Sequence, residues 1–554
     1  MTSRPPRPRA AIIALATVAA LACGGCGATS KSTPRAVSRR SPVITILQDQ
    51  SQVLADPAGT LDLLRSLGVN EVRISMGWSS LAPDPSSRTP PSRLRATTPA
   101  AYPAAQWAPY DTVLRDASAR GIGVYLMLTG PAPLWASTPA PAGTATHDPG
   151  VYEPSAAKFG EFVKAVGTRY DGSYTPPGAS APLPAVKFWS IWDEPNYGYQ
   201  LAPQAIGGVE VAPRLYRGLL DAAWSALHST GHDGDTILIG ETAPRGANVP
   251  GVANGMVPLR FLRALYCVGS SYQELRGAAA RVRGCPTTAA ASGAFRADNP
   301  ALFDASGFAA HLYTAGQVAP PNDPTPANEP DWVGLADMPK LEQALDRLNA
   351  TYGSGTHFPI YNTEFGFQTD PPSSNCGCVF LSPATAADYL NWAEYIEWSN
   401  PRLRSDAQYL IFDAPSGSPA HPNESSFSSG LVFLNGTPKP GFTAFRLPMF
   451  LPVTRTGAGG SLEVWGDVRP ASFARKDTGR VPPVEIQFQP SSGGAWSTVR
   501  TIAVTGPAGD FEVPVHFRAS GSVRLRWTYP SGYTDLPPGT STTITSRVQP
   551  ITVS

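Results

Sequence analysis

Eight short runs of almost unbroken apolar character recur along the first four-fifths of this chain, with helical segments between them. The runs fall at residues 43–47, 72–76, 124–128, 186–191, 236–239, 307–312, 359–361 and 407–412. A strand with one wet face alternates apolar and polar residues, whereas a strand buried on both faces has no need to. Residues 59–67, 156–170, 213–227 and 384–398 carry apolar side chains at helical spacing instead. Eight alternating units predict an α/β fold, a closed (β/α)8 TIM barrel over residues 43–448. A doubly wound sheet is the competitor, but it usually has fewer strands and a glycine-rich first turn.

About 400 residues exceed the ~250 typical of such a barrel, so several loops must be long. The excess lies at residues 79–108, 243–303, 314–338 and 370–383, each following a candidate strand. Loops in that position surround the C-terminal mouth, which predicts a walled cleft.

Beyond residue 448 the period changes. Val484, Ile486 and Phe488 alternate with Glu485, Gln487 and Gln489, and residues 511–517 and 523–529 repeat the pattern. Period-two alternation between Gly/Pro turns predicts an immunoglobulin-like antiparallel β-sandwich over residues 449–554. Trp465, Trp496 and Trp527 could serve there as stacking platforms for a ligand, although core aromatics are the plainer reading.

At the other end, Arg4, Arg7 and Arg9 precede an uncharged apolar run at residues 10–22. That run is too short for a mature membrane span, so residues 1–26 read as an export signal. Cys23 or Cys26 is a candidate for lipidation, with plain secretion as the alternative; residues 27–42 suit a tether. The expected location is extracellular, or the outer face of the cell membrane. Of the other cysteines, Cys267 and Cys285 flank a loop where an exported protein can keep a disulfide. Cys376 and Cys378 are separated only by Gly377, and cross-pairing stays open.

A net charge of +1 with only 15% charged residues shows no footprint for nucleic acid or an anionic membrane. Neutral substrates are expected, and any membrane contact would come through the lipid anchor. No oligomer signal is visible, so a monomer is expected. The chain has no HExxH, no phosphate-cradling GxxxxGK[ST] and no GxSxG turn, and its Cys and His spacing does not suit zinc.

The fourth apolar run ends in Trp192-Asp193-Glu194-Pro195-Asn196, and the seventh in Asn362-Thr363-Glu364-Phe365-Gly366. Carboxylates at the end of a buried strand are costly unless they have partners or a task. Both would stand at the barrel rim, facing each other across the mouth. Glycoside hydrolysis needs such a pair, one carboxyl protonating the leaving oxygen while the other attacks the anomeric carbon.

With these motifs the chain resembles glycoside hydrolase clan A, the retaining barrel glycosidases that include the cellulase-like family five and the xylosidase-like family thirty-nine. The resemblance spans the barrel, including Gly430-Leu431-Val432-Phe433 and Gly436-Thr437-Pro438-Lys439-Pro440 near its end. It implies Glu194 as acid/base and Glu364 as nucleophile, acting on a β-linked carbohydrate with no metal and no organic cofactor. Asp193 departs from the clan's asparagine, which contacts the sugar 2-hydroxyl; an ionised aspartate accepts but cannot donate. Phe412 stands where strand eight often brings a tryptophan under the sugar.

Arg73, a charge inside an apolar run, is expected beside the nucleophile, with a structural ion pair as the alternative. His311 and Tyr313 are candidates to contact sugar and Glu364 respectively. Glu241 is a rival rim carboxylate, read as a substrate contact or a structural acceptor. Trp78, Trp135, Trp192, Tyr197 and Trp332 are candidate stacking platforms. A carbohydrate-binding protein without turnover, and a surface adhesion protein, are the competing readings.

Overall fold

The computed structural model describes residues 42–144, 146, 148–372, 378–417, 425–536 and 541–554. The export signal, with Cys23 and Cys26, the tether up to residue 41, and Cys376 lie outside the described residues.

The apolar runs become eight parallel strands: β1 (Ile44–Gln48), β2 (Glu71–Gly77), β3 (Gly123–Thr129), β4 (Phe188–Ile191), β5 (Thr236–Thr242), β6 (Gly307–Ala310), β7 (Ile360–Asn362) and β8 (Ser405–Tyr409). Their order is β8-β1-β2-β3-β4-β5-β6-β7. The ring closes at β7 and β8, where the Ile360 amide donates to the Arg402 carbonyl at 2.9 Å and the Arg404 amide to the Ile360 carbonyl at 2.8 Å. Closure pairs the two edges of this sheet with each other.

One helix of the outer ring follows each strand: α1 (Pro57–Leu67), α2 (Ala104–Arg120), α3 (Ala156–Arg169), α4 (Ala212–His228), α5 (Pro258–Leu265), α6 (Met338–Thr351), α7 (Pro383–Ser399) and α8 (Pro440–Arg446). The start of α1 shows why sequence dictates these boundaries. Asp56 caps the Gly59 amide, Pro57 occupies the first turn, and Gly68 ends the helix at φ 86°. The long insertion after β5 carries a Cys267–Cys285 disulfide.

Residues beyond 448 form two sheets. Met449–Phe450, β9 (Ser461–Asp467) and β12 (Asp510–His516) make the smaller. The larger contains β10 (Val484–Pro490), β11 (Ser497–Ile502), β13 (Gly521–Thr528) and β14 (Gln549–Val553), with short flanking pieces. Pairing is antiparallel except where Arg455–Thr456 runs parallel to β14. Apolar residues of these sheets belong to the same core as the barrel. Trp527 is buried in it as a core aromatic, Trp465 is buried against Tyr395 and Trp398 of α7, and Trp496 packs against the Arg524 guanidinium.

Candidate active site

Glu194 and Glu364 stand just past β4 and β7, and residues of the neighbouring strands and loops surround them. Backbone geometry at this rim is unusual. Trp192 (φ 66°), Glu194 (φ 36°), Glu241 (φ 48°) and Leu410 (φ 78°) all lie in the left-handed region. A non-glycine residue there costs of order 1–3 kcal/mol, a strain that clusters at functional sites. At β5 the register against β6 slips between Gly240 and Thr242, a bulge that turns Glu241 inward. Gly240 permits it, because a Cβ there would meet the Ala309 carbonyl oxygen at 2.5 Å. Asn196 then ties the β4 end to the chain after β5, accepting from the Ala243 amide and donating to the Ala243 and Met256 carbonyls.

Arg73 is the hub. Its Nη1 donates to Glu364 Oε2 at 2.9 Å and also to Gln48, while Nη2 reaches Asp193 Oδ1 at 3.1 Å and Glu241 Oε2 at 3.0 Å. The guanidinium is wholly buried, and a buried charge needs such partners. Asp193, Glu241 and His311 converge closely enough to hold a metal ion. The Arg73 guanidinium already fills that point, since Nη2 also lies 3.3 Å from His311 Nε2.

His311 links the two carboxylates. Its Nδ1 is 3.0 Å from Glu194 Oε1 and 3.9 Å from Glu364 Oε1, and its Nε2 is 3.0 Å from Glu241 Oε2. Burial alone would drive the imidazole neutral, but Glu364, Glu194 and Glu241 together hold its pKa well above the usual value. As an imidazolium it donates from both nitrogens. Tyr313 Oη donates to Glu364 Oε1 at 3.0 Å, and Tyr199 Oη to Glu194 Oε2 at 2.5 Å. Every carboxylate oxygen of the pair is therefore addressed by a fixed donor.

Two other acids behave oppositely. Burial works against ionised Glu241, but Arg73 and His311, with Tyr125 also donating, hold its pKa well below the carboxylate range. Burial pushes Asp193 up to about 7, against the pull of Arg73 and His311. Gln200 Nε2 donates to the second Asp193 oxygen at 3.0 Å.

The mouth above these groups is a cavity of about 250 Å³, lined by Glu194, Tyr197, Tyr199, Pro244, Arg245, Tyr313, Gln317, Glu364, Gly366, Gln368, Tyr409 and Phe427. Several expected sugar contacts are elsewhere. Trp78 is fully buried, its ring stacked 5.9 Å from Phe162, and Trp192 is buried edge-on to Phe159 with its Nε1 donating to the Gln200 carbonyl. Trp135 packs edge-on against Trp78 and donates to the Pro83 carbonyl. Glu241 has no exposed surface and all its contacts are internal, so it acts as an anchor and not as a substrate ligand. Phe412 is tied through its amide to Asp49 and does not line the mouth. Tyr409 and Phe427, with ring centres 5.1 Å apart, supply the aromatic surface on that side. Tyr199, Tyr409, Gln317 and Gln368 were not singled out from the sequence. For Tyr199 a signal existed, its place five residues beyond Glu194 in the same turn.

No protein-family model matches the chain, and no curated protein matches it. Similar solved structures include a family 39 glycoside hydrolase from the gut symbiont Bacteroides cellulosilyticus WH2, at 13% identity and TM-score 0.43, over 86% of this chain and 79% of that one. A glucosidase from Croceicoccus marinus is similar at 13% identity and TM-score 0.45, over 94% of this chain and 95% of that one. A β-glucosidase from Thermotoga maritima in complex with deoxynojirimycin gives 16% identity and TM-score 0.42, over 70% of this chain and 85% of that one. At such identities an activity has to be read from the side chains themselves.

Proposed function

We propose that this chain is a retaining glycoside hydrolase that cleaves β-glycosidic bonds, with Glu364 as nucleophile and Glu194 as acid/base. The carrying observation is that one imidazole, His311, spans both carboxylates, at 3.0 Å from Glu194 and 3.9 Å from Glu364. Laid end to end, those distances bound the separation of the two oxygens. That bound is compatible with the ~5–5.5 Å separation of retaining pairs.

In this reading the anomeric carbon lies over Glu364 Oε1 or Oε2, and attack forms a glycosyl ester while the bond to the leaving oxygen breaks. Glu194 passes its proton to that oxygen, then takes one from the water that cleaves the ester. Arg73 and Tyr313 hold the nucleophile in place and disperse its charge, and both are bonded to it before substrate arrives. Phe427 and Tyr409 offer ring faces to a sugar, and Gln317 and Gln368 offer donors and acceptors. The enzyme would act outside the cell, delivered by residues 1–26 and retained there if Cys23 or Cys26 is lipidated.

Hydrolysis of a panel of aryl β-glycosides and β-linked oligosaccharides tests this, with the first-formed anomer read by proton NMR. The expected product is the β-anomer, with turnover abolished in Glu364→Gln. In Glu194→Gln the loss should fall mainly on poor leaving groups. Binding without turnover across the panel would instead support a carbohydrate-binding protein, and an inverted anomer would overturn the retaining mechanism.

A further inference from the structure

The cleft lining contains one cation with nothing to neutralise. Arg245 lies in the cavity wall, which it shares with Tyr197 and Pro244. Among the described residues no carboxylate pairs with it and no acceptor takes its hydrogen bonds; its guanidinium sits 6.0 Å from the centre of the Trp332 ring. The neighbouring arginines are different. Arg260 and Arg283 share Glu210, Arg263 is bidentate with Asp331, and Arg73 is surrounded by acids.

Nor is Arg245 a loosely held surface residue. The Ala243 amide donates to Asn196 Oδ1 at 2.9 Å, the Val333 amide to the Pro244 carbonyl at 2.9 Å, and the Ala247 amide to the Gly255 carbonyl at 2.8 Å. Backbone bonds on both sides thus pin the segment, and Gly246 packs so tightly that an added Cβ would meet the Met256 carbonyl carbon at 2.4 Å. The side chain is half-buried. A guanidinium held this way presents a planar fork of donors that matches an oxyanion.

The surrounding charge explains what such a group is for. Asp193, Glu194, Glu241 and Glu364 face one another below the cavity, and their cationic partners Arg73 and His311 are buried beneath them. A substrate carrying its own negative charge would be repelled by this floor. A neutral sugar has no use for an unneutralised arginine when Gln317, Gln368 and several tyrosines already supply hydrogen bonds. Building on the glycosidase reading, the geometry points to a glycan bearing an oxyanion, a uronate carboxylate or a sulfate or phosphate ester, as the substrate class. Arg245 is its specificity-determining residue.

The test is calorimetric binding to full-length Glu364→Gln, so that the readout does not depend on turnover. Neutral β-linked oligosaccharides are compared with their uronate, sulfated and phosphorylated counterparts, in that background and in Glu364→Gln carrying Arg245→Gln or Arg245→Lys. At least one anionic series should bind roughly ten- to a hundredfold tighter than its neutral parent, the range of a charge-assisted hydrogen bond. The series that does so identifies the oxyanion. Arg245→Gln should erase the preference and Arg245→Lys retain part of it. Equal binding of neutral and anionic sugars, or a preference that survives Arg245→Gln, overturns the proposal and leaves the glycosidase reading standing. Failure of every sugar to bind, with no hydrolysis of any by the unmutated protein, overturns both.

Discussion

Arg73 and Glu241 form an ion pair that solvent does not reach, with Nη2 3.0 Å from Oε2 and neither side chain exposed. Everything above it depends on that anchor, because the same guanidinium orients Glu364 and Asp193. Glu241 also accepts from Thr363 Oγ1 at 2.7 Å, which fixes the residue just before the nucleophile. Glu241→Gln keeps the shape and removes the charge. Leaving one member of a buried pair uncompensated costs ~3–5 kcal/mol, so the urea midpoint should fall accordingly. A variant as stable as the unmutated protein would show that Arg73 is balanced without Glu241.

Tyr313 makes the next prediction. Its hydroxyl donates to Glu364 Oε1 at 3.0 Å, and burial, reinforced by the charge of Glu364, pushes its pKa well above the usual phenol value. It is therefore a neutral, permanent donor at any working pH. Tyr313→Phe deletes one hydrogen bond to a charged group, worth ~1.5–3 kcal/mol. In kcat/KM that is a loss of about ten- to a hundredfold, with little change in melting temperature. Retention of full activity would mean that Arg73 alone positions the nucleophile.

Asp193 gives the cleft a titration that an asparagine could not. Burial carries its carboxyl up to about 7, with Glu194 and Glu364 adding to the rise and Arg73 and His311 opposing it. Below that pH it is protonated and can donate to a substrate hydroxyl; above it, it adds a negative charge beside the nucleophile. The kcat/KM of the unmutated enzyme should therefore decline as pH climbs through about 7. Asp193→Asn should lack that limb, which a pH–rate profile of the pair reads directly. An unchanged limb in the variant would assign it to another group.

How much of this was legible in the chain follows from what each residue has to satisfy. Strands β1 to β8 announce themselves because burial on both faces removes polar residues, and a carboxylate ending such a strand, as at Glu194 and Glu364, stands out against it. Arg73 and His311 were visible for the same reason, as polar groups inside apolar runs, and Tyr313 as the residue just past one. Trp78, Trp135 and Trp192 were not separable in this way. An indole near the rim satisfies either a sugar or a core, and here Phe159, Phe162 and backbone carbonyls claim it. Gln317 and Arg245 sit on loops without period, and only their folded positions bring them to the cleft. The role of Glu241 depended on the bulge at Gly240, a slip of register that no spacing reveals.

A last prediction concerns the seam between α7 and β7, behind the strand that carries Glu364. Glu397 of α7 is buried, and its Oε1 accepts from Asn362 Nδ2 at 2.6 Å. Burial, with the charge of Asp406 adding to it, raises its pKa well above the usual value. An unfolded glutamate titrates near ~4.3, so the folded chain holds this proton more tightly than the unfolded one. The stabilisation is complete below the unfolded value and is lost as pH rises through the raised one. Glu397→Gln replaces the acid by an amide that is neutral at every pH and can still accept from Asn362. Melting temperatures of the two proteins should converge in acid and separate as pH rises, with the unmutated chain falling below the variant. Glu394 and Asp406, also shifted up by burial, interact with Glu397, so the difference between the two curves reads Glu397 together with its coupling to them. Parallel curves from pH ~5 to ~9 would mean that Glu397 ionises in the fold with as little penalty as in water.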